Sequence, residues 1–394
     1  MSEATLSEFI TPSVAIAVLG IIVSSSFFFK PTSAMTIIKH SQRTVFGSKV
    51  TIEIDDDCFP TDKEIETMEV NLPGCQHDYF ESKSHGGAKL HYRYWLPPKG
   101  NVKGVAVFFH GINSHSGRGF VVDGRKLSFS LMTEQFLNQG IALYLMDQYG
   151  HGFSEGSRFL IKKWEMNKQD CIDFANFIAE KYSADSKKKA PPLFIAGESF
   201  GGCMAIHTSK YCQDTADTSP AGKLFDSMLL TAPAIHADLP GFPVYQILRY
   251  IIAPLMPTKR PFFMPHPIPP ERIWRDQRAM EFFTSPQNEK WGLEEAGKKL
   301  RLGTALGCVV AMENACNHVI PEFSVPFCII HGTQDDGVPI AGSEFMMETC
   351  QTLEEDKELH AMDGARHEVF CDPLAEEAIG HWMKFLKKRL DKQS

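Results

Sequence analysis

The chain has 394 residues, 43% of them hydrophobic and 22% charged, which is ordinary usage for a folded protein and excludes disorder, collagen and coiled coil for its bulk. Lys and Arg number 40 against 48 Asp and Glu, a net charge of −8, and with no basic block the chain is not expected to bind nucleic acid. The ten cysteines are scattered, with no CxxC and no Cys/His pairing at zinc spacing, so neither a metal centre nor a disulfide framework is expected.

Residues 1–45 read as an N-terminal hydrophobic anchor and linker. From Phe9 to Phe29 no Asp, Glu, Lys, Arg or His occurs, a run of about the length that spans a bilayer core, although Pro12, a threonine and four serines dilute it. Glu3 and Glu8 precede the run, and Lys30, Lys39, Arg43 and Lys49 follow it. The positive-inside tendency therefore predicts a membrane-anchored chain whose body faces the cytosol and meets the membrane surface. A cleaved secretory signal is the alternative, although such a signal carries its positive charge before the run. A buried core helix is the third reading.

Residues 46–392 read as one α/β domain. Leu90–Leu96 alternates like a strand and ends at the turn Pro97-Pro98-Lys99-Gly100. Gly104–Phe109 and Ile141–Met146 are continuous apolar strands of the buried, parallel kind, and Leu193–Ala196, Met228–Thr231 and Pro326–Ile330 repeat the pattern. Helical stretches lie between and after them, at Asp170–Lys181, Gly342–Thr349 and Pro373–Leu390. Strands alternating with helices predict a mostly parallel, doubly wound sheet. The rhythm breaks over residues 240–270, which hold nine of the 24 prolines. Proline at that density does not belong in a central sheet, so about 236–320 is predicted to be an inserted cap.

Two Gly-x-Ser-x-Gly segments occur, Gly152-Phe153-Ser154-Glu155-Gly156 and Gly197-Glu198-Ser199-Phe200-Gly201. A nucleophilic serine of this kind needs a strand running straight into the turn and a helix leaving it, with small neighbours around the strained residue. Ser199 has both, entered by Leu193–Ala196 and left by Gly201-Gly202-Cys203-Met204-Ala205. Ser154 follows a glycine-rich loop and reads as a structural serine. A serine also needs a base, and the base an orienting acid; in this architecture they follow in the order Ser, acid, His. Asp335 or Asp336 stands in the loop after the strand at 326–330, with Asp335 preferred. His367 comes after the short run Glu358–Met362 and before the terminal helix. The expected triad is Ser199, Asp335 and His367. The expected oxyanion donors are the backbone N–H groups of Phe200 and of Ile112 in the loop after Gly104–Phe109. His110 and His151 read as loop hydrogen-bonding residues.

Four segments together carry a resemblance: His110-Gly-Ile-Asn-Ser-His115-Ser-Gly-Arg118, Asp147-Gln-Tyr-Gly-His151-Gly-Phe-Ser154-Glu-Gly156, Gly197-Glu-Ser199-Phe-Gly201-Gly202 and Gly364-Ala-Arg-His367-Glu368. Over roughly residues 75–390 the chain resembles monoacylglycerol lipases, and equally their lysophospholipase relatives, in the α/β-hydrolase superfamily. The resemblance implies an α/β-hydrolase fold and the same five site residues. It also implies a serine hydrolase that cleaves carboxylic esters of lipids, releasing glycerol and fatty acid from monoacylglycerol through an acyl-enzyme on Ser199, without cofactor or metal. Glu198 and Phe200 stand where the animal lipases usually carry His and Met, and Glu198 is similar to plant relatives such as caffeoyl-shikimate-esterase-like enzymes. A lysophospholipase or general carboxylesterase is therefore the alternative; a serine peptidase and a non-catalytic homologue are more distant ones.

Overall fold

The computed structural model describes residues 40–53, 61–98, 101–183, 189–237, 239–261, 269–285 and 300–393. Thirteen strands form among them: β1 (His40–Val45), β2 (Ser48–Glu53), β3 (Gln76–Ser82), β4 (Ala88–Trp95), β5 (Gly104–Phe109), β6 (Gly119–Val122), β7 (Arg125–Ser128), β8 (Ile141–Met146), β9 (Gly156–Ser157), β10 (Leu193–Glu198), β11 (Phe225–Thr231), β12 (Phe327–Gly332) and β13 (Lys357–Met362). Eight of them make one sheet in the order β3-β4-β8-β5-β10-β11-β12-β13. The pairs β3–β4 and β4–β8 are antiparallel, and every pair from β8 to β13 is parallel.

The central strands are apolar throughout because both faces of the sheet are covered. All six residues of β5 and all six of β8 are buried. Successive side chains leave a strand on opposite faces, and the core divides accordingly. Val105, Val107, Phe109, Ile195 and Leu230 share one apolar cluster with Phe174, Ile178, Met204 and Ile206, on the helices Trp164–Ser183 and Ser199–Asp214. Ala106, Phe108, Phe194, Leu229 and Ile330 share the other with Met132, Phe136, Trp382 and Leu386, on the helices Phe129–Asn138 and Ala375–Gln393. This is the mostly parallel, doubly wound sheet that the alternation of strands and helices predicts, and the α/β-hydrolase arrangement that the resemblance implies.

Between β11 and β12 the described residues hold helices and no strand. Among the described residues the prolines of 240–270 fall among short pieces such as Val244–Ile247, Ala253–Leu255 and Pro270–Ile273, and the longer helix Leu302–Asn314 follows. Short pieces are what closely spaced prolines allow, since each removes a backbone donor and restricts the residue before it.

The expectation of a membrane-anchored chain is corrected here. The run 9–29 lies outside the described residues, and among those described no helix is long and apolar enough to cross a membrane. Trp164–Ser183 and Ala375–Gln393 have the length, at 20 and 19 residues. The first carries Glu165, Lys168, Asp170, Asp173, Glu180 and Lys181. A single charge at the bilayer centre costs about 3 kcal/mol on insertion scales, so a helix with six faces water along one side and the sheet along the other.

Candidate active site at the ends of the parallel strands

The sheet places its loops so that three converge. β10 ends at Glu198, and the helix Ser199–Asp214 begins at once. Ser199 sits between them with φ of +52°, a left-handed conformation that costs a non-glycine residue about 1–3 kcal/mol. The tight turn depends on its glycines. A Cβ on Gly201 would overlap the Phe109 and His110 carbonyls, and one on Gly197 would overlap the Gly201 carbonyl. Any side chain at either position would push the serine off its strand end.

The loop after β12 carries Asp335, the expected acid. Asp335 Oδ1 accepts from the Gly337 and Val338 amides at 2.7 and 2.8 Å, and Oδ2 accepts from His367 Nδ1 at 2.7 Å. Asp336 is turned outward, with its carboxylate 3.7 Å from Arg272 Nε, and it is half exposed. The His367 loop is knitted to the acid loop by bonds from the Thr333 amide to the Met362 carbonyl and from the Gln334 amide to the Ala365 carbonyl, both 3.0 Å. A Cβ on Gly332 would overlap the Ala365 carbonyl, so the two loops meet at a position that admits only glycine.

Electrostatics divide the pair sharply. Burial alone would raise the Asp335 carboxyl, but His367 and His331 beside it hold it well below the usual carboxylate range. Burial likewise opposes charge on His367. The Asp335 carboxylate outweighs that burial, with Glu368 and Glu198 adding to it, and raises His367 above its ordinary value. The Asp335 bond also fixes the tautomer: a proton on Nδ1 leaves Nε2 with its lone pair free to act as a base.

The loop after β5 supplies backbone amides. His110 is buried and committed to that loop. Its Nε2 accepts from the Gln148 amide at 3.0 Å, its Nδ1 lies 2.7 Å from the Gly111 carbonyl, and its own carbonyl accepts from Gln148 Nε2 at 2.7 Å. Gly111 packs against Ser199, where a Cβ would stand 3.1 Å from Ser199 Cβ. Ile112 follows it directly. Phe200 lies in the first turn of its helix, where backbone N–H groups have no intrahelical acceptor.

Ser154 has a different fate. Its Oγ donates to the Asp147 carbonyl at 2.5 Å and accepts from the His91 amide at 2.8 Å, and the side chain is fully buried. The loop that carries it is a rack. Asp147 Oδ1 accepts from the Ser116 amide at 2.6 Å, and Oδ2 accepts from His91 Nδ1 at 2.7 Å and the Phe153 amide at 3.0 Å. Asp147 thus ties the 147–156 loop to the segment after Ile112. His151, also buried, lies 3.0 Å through Nδ1 from the Tyr149 carbonyl.

Four residues beside the site had no role in the sequence reading: Asp147, Arg118, Glu198 and Glu368. Asp147 and Arg118 stand within the motifs quoted above, and Glu198 was visible as a departure from the family pattern. Glu368 likewise closes the motif Gly364-Ala-Arg-His367-Glu368, with no role attached to it. Glu69, Cys75 and His77 bring ligand-type atoms together. Glu69 is held by Arg93, with Nη2 at 2.6 Å and Nε at 3.1 Å, and His77 Nδ1 is bonded to His91 Nε2 at 3.0 Å. A guanidinium that close opposes a cation, so these side chains form an ion-paired network.

A family model described as serine aminopeptidase, S33 (Hydrolase_4) matches residues 100–374. A Dictyostelium discoideum protein described as an uncharacterized abhydrolase domain-containing protein is 27% identical over 305 residues; the match spans 77% of this chain and 28% of that protein. Human monoglyceride lipase is 25% identical over 282 residues, covering 71% of this chain and 80% of the lipase. The structure of a soluble variant of Saccharomyces cerevisiae monoglyceride lipase in complex with a substrate analog superposes with a TM-score of 0.58 at 19% identity, over 81% of this chain and 95% of that one, a likeness of fold.

Proposed function

The chain belongs to the Hydrolase_4 (serine aminopeptidase, S33) family of α/β-hydrolases, and on that premise we propose that it is a serine hydrolase that cleaves monoacylglycerol to glycerol and fatty acid. The observation that carries the chemistry is the 2.7 Å bond between His367 Nδ1 and Asp335 Oδ2, on a loop braced against the acid loop, with Ser199 at a strained strand–helix junction. The choice of a lipid ester rests on the similarity to human monoglyceride lipase and on the apolar residues exposed between β11 and β12. Phe242, Tyr250 and Leu255 are among the large hydrophobics left in solvent there. In this reading 236–320 is a cap whose apolar surface meets the acyl chain.

The mechanism we infer is a two-step acyl transfer. His367 Nε2 takes the Ser199 Oγ proton as Oγ attacks the ester carbonyl. Asp335 stays ionised and steadies the imidazolium through Nδ1. The carbonyl oxygen, now an alkoxide, takes hydrogen bonds from the Ile112 and Phe200 amides, each worth about 3–4 kcal/mol in a site of this kind. Collapse breaks the ester C–O bond, His367 gives its proton to the departing glycerol oxygen, and the acyl group remains on Ser199. Water then attacks with His367 as base again, and the fatty acid leaves.

The test is glycerol and fatty-acid release from a monoacylglycerol chain-length panel, run beside lysophospholipid, p-nitrophenyl acetate, caffeoyl shikimate and an aminoacyl-anilide. Preference for long-chain monoacylglycerol is the expected outcome. Turnover of short or phenolic esters alone contradicts the lipid assignment, and turnover of the anilide alone contradicts the ester assignment.

A further inference from the structure

Arg118 is none of the groups assigned to chemistry, yet it reaches the neighbours of two of them. Its side chain is 1% exposed, with Nη1 3.3 Å from Glu198 Oε1 and 3.1 Å from Glu368 Oε1. Glu198 immediately precedes Ser199, and Glu368 immediately follows His367. The Gly111 amide donates to Glu198 Oε1 at 3.4 Å, and the Phe283 ring lies under the guanidinium at 4.4 Å. One cation therefore joins the nucleophile turn, the base loop and the loop of the oxyanion donors. A buried ion pair is a weak source of stability, because desolvation cancels most of its attraction. Two carboxylates against one guanidinium leave an excess negative charge beside the reacting atoms, a further cost that an apolar packing would avoid.

We propose that Arg118, Glu198 and Glu368 are positioning residues for the reaction: the guanidinium holds the Ser199 turn and the His367 loop in register, and the two carboxylates govern the acid side of the pH profile together with His367. The proposal rests on the assignment of Ser199 and His367 made above. The groups facing Glu198 are Arg118 from the loop before β6, His367 and Glu368 from the loop after β13, and the Gly111 amide, with the Cys371 thiol behind them. Burial and the Glu368 charge push the Glu198 carboxyl up to about 7, against the pull of Arg118. His367, raised to about 9 by the Asp335 carboxylate, gains its proton first; as the pH falls further, through about 7, Glu198 takes a proton, its bond to Arg118 loses charge assistance, and the register loosens.

The experiment measures kcat and KM for p-nitrophenyl butyrate against pH in the full chain, for wild type, Glu198→Gln, Glu368→Gln, Arg118→Lys and Arg118→Met, with Ser199→Ala as background. The wild-type acid limb is expected to be steeper than a single ionisation. In Glu198→Gln kcat falls about 10- to 100-fold with KM little changed. Its acid limb takes the slope of one proton and moves about one pH unit lower, because a negative charge beside His367 has gone. Arg118→Lys keeps the wild-type limb and recovers part of kcat, which Arg118→Met does not. Glu368 lies nearer the surface, at 16% side-chain exposure, so Glu368→Gln decides the matter should a change at Arg118 prevent folding. An acid limb unmoved in slope and position in both glutamine variants, with kcat unchanged, overturns the proposal. If Ser199→Ala is then inactive, the positioning role alone is lost; if Ser199→Ala is fully active, the site assignment falls with it.

Discussion

Two pentapeptides of one pattern, at 152–156 and 197–201, have opposite destinies in this molecule. Ser199 stands at positive φ between a buried strand and a helix, with glycine on either side because the neighbouring backbones leave no room for a Cβ. Ser154 is buried in a turn beyond β8, with its hydroxyl committed to a carbonyl and an amide. The glycines around Ser154 answer a different need: Gly152 takes a positive φ, and its missing side chain leaves space for the Asp147 carboxylate. On the proposed reading the same letters thus specify a reacting group in one place and a bracket in the other. What separates them is whether the hydroxyl is left uncommitted at a strand end, which the pattern alone does not encode.

The largest break of that comparison is at the nucleophile. Ser199→Ala is expected to lower kcat/KM for an ester substrate by about 10⁶-fold, while Ser154→Ala leaves it within a few-fold. Equal losses in the two variants would erase the distinction. The next effect lies at the acid, where the doubled aspartates offer an internal control. Asp335→Asn should lower kcat by about 10⁴-fold, because an amide in that place no longer fixes the Nδ1–H tautomer; Asp336→Asn should leave it unchanged. The reverse result would move the acid by one residue.

The pH profile sharpens the account further. His367 works as a base only when neutral, and the Asp335 carboxylate raises it above its ordinary 6.5. Activity is therefore full above that raised value and falls as pH drops through it, by about tenfold per unit for the His367 proton and more steeply where Glu198 also titrates. A profile flat down to pH 5 would contradict this. The smallest effect falls on stability. Ser154→Ala leaves the His91 amide without its acceptor in a dry site and should cost about 1–3 kcal/mol in denaturant unfolding, with the catalytic rate retained.

The middle of the central sheet was legible because its strands are apolar on both faces: Gly104–Phe109 and Ile141–Met146 have the bounds expected from sequence, whereas the edge strand β3, exposed along much of its length, was missed. Helix ends moved by a few residues, as at Trp164–Ser183 against the expected Asp170–Lys181, because polar first turns carry no apolar periodicity. The hairpin strands β1 and β2 and the short β6 and β7 were missed; pairs that small owe their form to tertiary packing. Motif spacing brought out Ser199, Asp335 and His367 as candidates. It could not bring out the bridge from Arg118 to Glu368, 250 positions apart, because an ion pair across loops leaves no period in the chain. The expectation of membrane anchoring is not supported either, since among the described residues no helix is long and apolar enough to cross a membrane.

Covalent capture of the nucleophile tests the central claim most directly. The full chain is treated with a long-chain fluorophosphonate, digested, and its peptides weighed. The account predicts one stoichiometric adduct on the peptide carrying Ser199, blocked by prior incubation with monoacylglycerol and absent from Ser199→Ala. An adduct on the Ser154 peptide, or labelling of Ser199→Ala at the wild-type rate, would contradict it.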